Sequence, residues 1–425
     1  MSVRLALVSC YRSALLLCSL ILLVGGLLGC ASPDDAADAA SEAAADTLRI
    51  MTYNIEDMRT VDLRNPDHSR IQQAAAVIQH LRPDILLINE ITYDFADGPW
   101  MEDEDTPGQN ARRFAENFLA VAQADTLEGI TYAAFMAPTN TGVASGFDLN
   151  RDGEAVTTYP DPQASPEDGR PVRQTDADRA YGEDAWGFGV FPGQYAMGLL
   201  VRPDLTIAED AVRTFRLFRW SAMPDAKKPV DPDTNESWYS EEAWSEMRLS
   251  SKSHWDVPLV LPTGDTLRVL ASHPTPPAFD GPEERNVRRN HDEIRFWADY
   301  LSDADYIYDD STRSGGLHDD ARFVLMGDQN ADPAGGSSIE GAIEQLLSHP
   351  RVQGDVTPMA SAGGQARYPD LDPTDTAEWG RRVDYVLPSV GLEVVAAGLY
   401  RPAPTADGIS ASDHFPVWID VRVAP

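Results

Sequence analysis

Asp328 and Asn330 stand two residues apart just after Arg322-Phe323-Val324-Leu325-Met326, an apolar run short enough to be a buried strand. Gly327 would let the backbone turn between that run and the pair. A carboxylate and an amide at a strand mouth can hold a hard cation, an attacking water and a phosphate oxygen together. The plainer reading is a Gly-Asp-x-Asn turn with no chemistry. Yet acid, amide and imidazole groups recur at the ends of apolar runs: Asn54, Glu90, His273, Asp384 and the pair Asp413-His414. Singly, each has an ordinary role. Asn54 could cap a turn, Glu90 sit in solvent, His273 pack before Pro274, and Asp384 pair with Arg381 or Arg382. Together they repeat one arrangement at the strand ends, where loops carry chemistry.

Those strand ends need a scaffold. Residues 48–53 read as a strand, and Ile71, Ala74, Ala75, Ile78 and Leu81 recur at helical spacing. Ser69 would cap that helix and Pro83 mark its end. Residues 85–89 form a buried strand that delivers Glu90. A further helix is expected over about 111–124, with Phe114, Phe118 and Val121 on one face. Residues 139–194, rich in Gly, Asp, Pro and Thr with little periodicity, read as a long surface insertion. Strands follow at 195–201, 257–261 and 267–272, then a helix over 284–301 with Val287, Ile294, Trp297 and Leu301 toward the core. Residues 322–326, 383–387 and 415–421 complete the set; in the last, apolar and polar positions alternate as in a half-buried strand. The pattern predicts an α/β fold of two packed sheets flanked by helices.

The chain is strongly acidic, with 68 Asp and Glu against 34 Lys and Arg and a formal charge of −34. Such a surface repels polyanions and argues against tight, unassisted duplex binding, but not against a small phosphate ester reached through cations. Arg4 and Arg12 accompany an uncharged stretch, 13–29, too short to favour a spanning helix, so residues 1–29 read as an export signal. Leu27-Leu28-Gly29-Cys30 resembles the bacterial lipobox, which implies lipidation at Cys30. Cys10 and Cys18 fall in the leader, so an exported chain would have no disulfide framework. Residues 30–46 read as a flexible acidic tether, leaving 47–425 as the folded domain. The expected location is the cell envelope, lipid-anchored at the outer membrane or periplasmic face, or else secretion. Membrane contact would run through the lipid alone, and a monomer is expected. Within the insertion, Asp148, Asn150, Asp152 and Glu154 place oxygen ligands at alternate positions around Gly153, as at the start of a Ca²⁺ loop. The usual glutamate at its twelfth position is replaced by Tyr159, and an Asp/Asn/Gly turn is the alternative.

Six segments carry a more specific resemblance: Met51-Thr52-Tyr53-Asn54, Asp84-Ile85-Leu86-Leu87-Ile88-Asn89-Glu90, Ser272-His273, Gly327-Asp328-Gln329-Asn330, Arg382-Val383-Asp384-Tyr385 and Ser412-Asp413-His414-Phe415-Pro416-Val417. In type and order the set resembles the endonuclease/exonuclease/phosphatase superfamily, with its deoxyribonuclease I-like nucleases and phosphatases. The resemblance implies a four-layer α/β sandwich and a divalent-metal-dependent phosphoester hydrolase: a phosphodiesterase, phosphatase or nuclease. It implies that Glu90 binds Mg²⁺ or Mn²⁺ with Asn54 beside it. Asp328 and Asn330 would position water and phosphate, and Asp384 would orient the second histidine. His414 would act as general base or as a donor to the transition state, and Asp413 would orient it or join the metal shell. His273 could protonate the leaving oxygen. Phe188-Gly189-Val190-Phe191-Pro192-Gly193-Gln194-Tyr195 and Ser250-Ser251-Lys252-Ser253-His254-Trp255-Asp256 resemble exported bacterial members. Lys252, His254, Arg289, Asn290 and His291 are candidate phosphate contacts, unless Arg289 and its neighbours only decorate a helix face. The acidic surface favours a small ester or nucleotide over duplex DNA. The competing reading is a non-catalytic, calcium-stabilised surface-binding lipoprotein, in which replacing Glu90 or His414 alters nothing beyond stability.

Overall fold

A computed structural model describes residues 47–166, 172–403 and 410–422. The leader, Cys30 and the tether up to residue 46 lie outside the described residues. The strands are β1 (Thr47–Met58), β2 (Ile85–Ile91), β3 (Ala133–Phe135), β4 (Met197–Val201), β5 (Thr206–Ile207) and β6 (Arg213–Thr214). They continue with β7 (His254–Val260), β8 (Thr266–Ser272), β9 (Phe323–Asp328), β10 (Asp384–Pro388), β11 (Glu393–Leu399) and β12 (Val417–Arg422). Helices used below are α1 (Ser69–Leu81), α2 (Asn110–Phe114), α3 (Asp176–Glu183) and α4 (Arg285–Leu301).

One sheet has the order β11-β12-β1-β2-β4-β3; the other runs β10-β9-β8-β7-β5, with β6 against β7. Each holds one parallel pair, β1 with β2 and β8 with β9. Parallel neighbours need a crossover, and α1 and α4 lie in those two connections. Period-two alternation then sorts the side chains into layers. Leu48 and Ile50 of β1, with Val324 and Met326 of β9, enter the core between the sheets. Met51 and Tyr53 pack outward with Ile71, Ala75 and Ile78 of α1. Phe323 and Leu325 pack on the other outer face with Ile294, Trp297 and Leu301 of α4. The result is the expected four-layer α/β sandwich.

Local differences have local causes. Ser69 is the first helical residue rather than the cap, which falls on His68, and α1 ends in left-handed Arg82 just before Pro83. The helix expected over 111–124 passes after α2 into a π turn, Ala115–Leu119, and stops. Val121 is consequently exposed. Of the four positions expected on the core face of 284–301, Val287 is only half-buried. Within 139–194 the chain is largely irregular, as expected, but α3 forms there, capped reciprocally by Thr175 and Asp178. Gly327 is not a turn. It lies inside β9 opposite Tyr385 with φ 137°, and a Cβ there would sit 2.0 Å from the Ser272 carbonyl oxygen. Glycine is needed because β8 and β9 approach so closely at this point.

Candidate active site

The parallel strands β1, β2, β8 and β9 bring Asn54, Glu90, His273 and Asp328 together near their C-terminal ends. Asn54 pairs with Asn89, one residue before Glu90. Glu90 itself is left-handed, with φ 69°, a conformation that costs a non-glycine residue of order 1 kcal/mol. Asp384 opens β10 directly opposite Asp328, and His414 precedes β12. Ser412 fastens that last segment: its hydroxyl donates to the Asn54 carbonyl (2.7 Å) and accepts the His414 N–H (3.0 Å).

Asp328 Oδ2 is the shared centre. Asn54 Nδ2 donates to it at 3.1 Å and to Glu90 Oε1 at 3.0 Å. His273 Nε2 lies 3.5 Å from the same Oδ2 and 4.0 Å from Glu90 Oε1. His414 Nε2 stands 3.7 Å away on the other side. His414 Nδ1 is 2.8 Å from Asp384 Oδ2, which also accepts from Thr376 Oγ1 at 2.7 Å. A carboxylate oxygen accepts, so Nδ1 carries the proton and Nε2 faces the site. Asn330, at φ 52°, donates its backbone N–H to Asp328 Oδ1 (2.9 Å) and its Nδ2 to the Pro274 carbonyl (3.2 Å). Lys252 Nζ reaches that same carbonyl at 3.4 Å, so the ammonium and the Asn330 amide converge on one atom.

Burial dominates the electrostatics. Burial, then the neighbouring Asp384, pushes Asp328 up to about 7. Burial also raises Glu90, with the Asn54 hydrogen bond opposing. It pulls His414 down, yet the carboxylates of Asp384, Asp328 and Asp413 hold that imidazole well above its usual range. Burial, reinforced by Lys252 and His414, holds His273 well below its own. Burial lowers Lys252, opposed by Glu293, Glu90 and Asp328.

Among the described residues, two groups bring potential ligand atoms within 4.8 Å of one another: Glu90, His273 and Asp328, and Asp328, Asp384 and His414. Two carboxylates with an imidazole suit a divalent cation that accepts oxygen and nitrogen. Among the described residues, the buried His273 Nδ1 and Asp384 Oδ1 find no hydrogen-bond partner. Asn54 presents its nitrogen to both carboxylates while Oδ1 accepts the Glu56 N–H, so it bridges Glu90 and Asp328 rather than offering an oxygen. Asp413 belongs to neither group; its side chain is 44% exposed and lies 4.0 Å from His414 Nε2.

Of the five candidate phosphate contacts, Lys252 alone lines this centre. His254 is a core histidine: Nε2 donates to the Glu293 carbonyl (2.9 Å), Nδ1 accepts from Ser250, and the ring packs on Phe296 and Trp297. Burial lowers it to about 4. Arg289 spends its guanidinium on the carbonyls of Leu249, Trp186 and Arg248. Asn290 braces the loops after His273 and Asp328 through the carbonyls of Thr275 and Gln329. His291 pairs with Asp292. In the insertion, Asp148, Asn150 and Asp152 accept backbone N–H groups within their own loop, and Asn150 also donates to Glu183. That geometry is a chain of Asx turns, and Glu154 contributes only its backbone N–H. A cleft of about 450 Å³, lined by Pro277, Phe279, Asp280, Val287 and Ile339 among others, contains none of the site residues. Thr376 and Trp379 escaped the sequence reading; both sit in an irregular segment that only the fold carries to Asp384 and His414.

A family model described as the Endonuclease/Exonuclease/phosphatase family matches residues 51–414. A search of curated proteins gave no match. Among solved structures, the chain is similar to an endonuclease/exonuclease/phosphatase from Beutenbergia cavernae DSM 12333, at 16% identity over 89% of this chain and 72% of that one (TM-score 0.43). It is similar to another from Bacteroides vulgatus, at 12% identity over 89% and 99% (TM-score 0.41). Truncated TDP2 from Caenorhabditis elegans is similar at 12% identity over 90% and 100% (TM-score 0.41). The chain belongs to the endonuclease/exonuclease/phosphatase family.

Proposed function

We propose that this family member hydrolyses phosphoester bonds with a bound divalent cation, Mg²⁺ or Mn²⁺, and acts on small esters or nucleotides rather than duplex DNA. One observation carries the reading: a single carboxylate oxygen, Asp328 Oδ2, is shared by Asn54, His273 and His414 where the strands end. Glu90 would hold the ion beside Asp328, and the ion would neutralise charge on a phosphoryl oxygen. The remaining work falls to side chains. Asp328 takes a proton from the attacking water, whose oxygen bonds to phosphorus as the bond to the departing alcohol breaks. That proton returns through solvent to the departing oxygen. His414, its Nδ1 fixed by Asp384, donates from Nε2 to a non-bridging phosphoryl oxygen. Asn330 and Lys252, now sharing one carbonyl acceptor, are placed to transfer hydrogen bonds to the phosphate.

The test is a panel of bis-p-nitrophenyl phosphate, p-nitrophenyl phosphate and plasmid DNA with Mg²⁺, Mn²⁺ or Ca²⁺. Wild type should exceed an Asp328→Ala control on at least one ester. Equality with blank on all of them would sink the reading. Export to the cell envelope through Cys30 completes the proposal. Cys30→Ser should leave the membrane fraction, and unchanged fractionation would refute lipidation.

A further inference from the structure

We infer that Trp379 is a stacking platform for a planar aromatic group of the substrate, so that favoured phosphoesters carry a nucleobase or aryl ring near the phosphate. The inference rests on the hydrolytic reading above and adds a substrate class to it. The Trp379 and His414 rings meet at 85° with centroids 4.8 Å apart. The imidazole is 5% exposed whereas Trp379 is 51% exposed. Trp220, Trp255 and Trp297, by contrast, are fully buried, and the exposed rings of Phe279 and Phe188 make no ring contact with a described site residue. Among the described residues, Trp379 is the one tryptophan in the set of exposed large hydrophobics. An indole left half in water beside a buried catalytic imidazole offers a free π surface at the place where a phosphate is handled.

The turn that displays it is tied to the site on both sides. Thr376 Oγ1 donates to Asp384, Ala377 bridges to Arg381 and to His414, and the Glu378 N–H donates to the Asp413 carbonyl at 2.8 Å. Gly380, at φ 76°, closes the turn. The ring is therefore presented by backbone hydrogen-bonded to the machinery it adjoins. Charge selects the occupant. Glu378, adjoining Trp379 in sequence, lies near Asp413 on a chain of net charge −34, which opposes an extended polyanion but tolerates one ring attached to one phosphate.

The test compares phenyl, adenosyl and glycerol phosphates, as monoesters and as methyl diesters, for wild type, Trp379→Ala and Trp379→Phe. The informative quantity is each variant's kcat/KM relative to wild type on the same ester, which cancels leaving-group reactivity. Trp379→Ala should lose about tenfold on phenyl and adenosyl esters, chiefly through KM, and under about twofold on glycerol esters. Trp379→Phe should recover most of the loss. Loss on adenosyl esters alone identifies a nucleobase, and loss on phenyl esters alone an aryl group; either supports the platform. Equal loss on all three, with a displaced pH profile, would mean that the indole only steadies His414, and the inference falls. No loss also overturns it. If wild type cleaves none of them, the nitrophenyl esters and plasmid DNA decide the hydrolytic reading, and calorimetric binding of adenosine 5′-monophosphate decides the platform separately. Wild type should bind about tenfold more tightly than Trp379→Ala, and equal affinity would refute the platform.

Discussion

Two of the buried polar clusters in this sandwich, one around His254 and one around His414, differ in a way that separates architecture from chemistry. Around His254, the charged and imidazole groups find protein partners, although Thr275 Oγ1 and Asn290 Oδ1 nearby find none among the described residues. Both ring nitrogens are partnered, Arg289 meets three carbonyls, and the Glu293 carboxylate accepts from Ser251 and from the Thr275 N–H. Around His414 the same residue types are left incomplete. Three carboxylates crowd together, and His273 Nδ1 and Asp384 Oδ1 find no partner among the described residues. Buried polar groups are normally satisfied, so open valences gathered at strand ends point to a ligand. The first cluster also serves the second, because Ser251 and Thr275 flank Lys252 and Pro274.

The contrast can be broken by mutation. His414→Gln should lower kcat/KM about 10³-fold through loss of a placed donor, while thermal unfolding stays near wild type. Arg289→Met should do the reverse. Leaving three buried carbonyls unpaired should cost about 3–4 kcal/mol in urea unfolding, with turnover per folded molecule within about twofold. Collapse of activity in a folded Arg289→Met would show that the clusters are not separable.

Acid sharpens the comparison. Folded His254 stays neutral down to about pH 4, whereas its unfolded imidazole protonates near 6.5. The unfolded state therefore binds the extra proton between those values. Stability should fall by up to about 3 kcal/mol as pH drops from 6.5 to 4, with no contribution from this group above 6.5. Urea unfolding across that range, against a His254→Phe variant lacking the group, measures it. The smallest expected effect is Lys252→Met. A buried ammonium with one long hydrogen bond costs desolvation, so the variant should be as stable as wild type or more so, with KM for a phosphoester raised about tenfold.

What the sequence disclosed follows from how local each signal is. The Asp384 and His414 motifs and the apolar periodicity of 284–301 depend on near neighbours and were legible. The strand Glu393–Leu399 was not, because its alternation is only between exposed and half-buried positions and it runs into small residues, Ala396, Ala397 and Gly398. Gly327 looked like a turn because close approach of β8 is invisible from one strand. His254 and Arg289 looked like phosphate contacts because residue type does not reveal that a carbonyl from another segment already occupies them. Trp379 gave no signal at all, since it reaches His414 only through the return of the chain after β9.

The central claim is that the incomplete cluster becomes active on binding a divalent cation. The direct measurement is hydrolysis of bis-p-nitrophenyl phosphate by chelator-treated wild type, Glu90→Gln and Asp328→Asn during titration with Mg²⁺ and with Mn²⁺. Chelated wild type should show no turnover and recover saturably on adding metal. Glu90→Gln should require at least about tenfold more metal, and Asp328→Asn should stay inactive throughout. Full activity of the chelated wild type, or an unchanged metal requirement in Glu90→Gln, would contradict that claim.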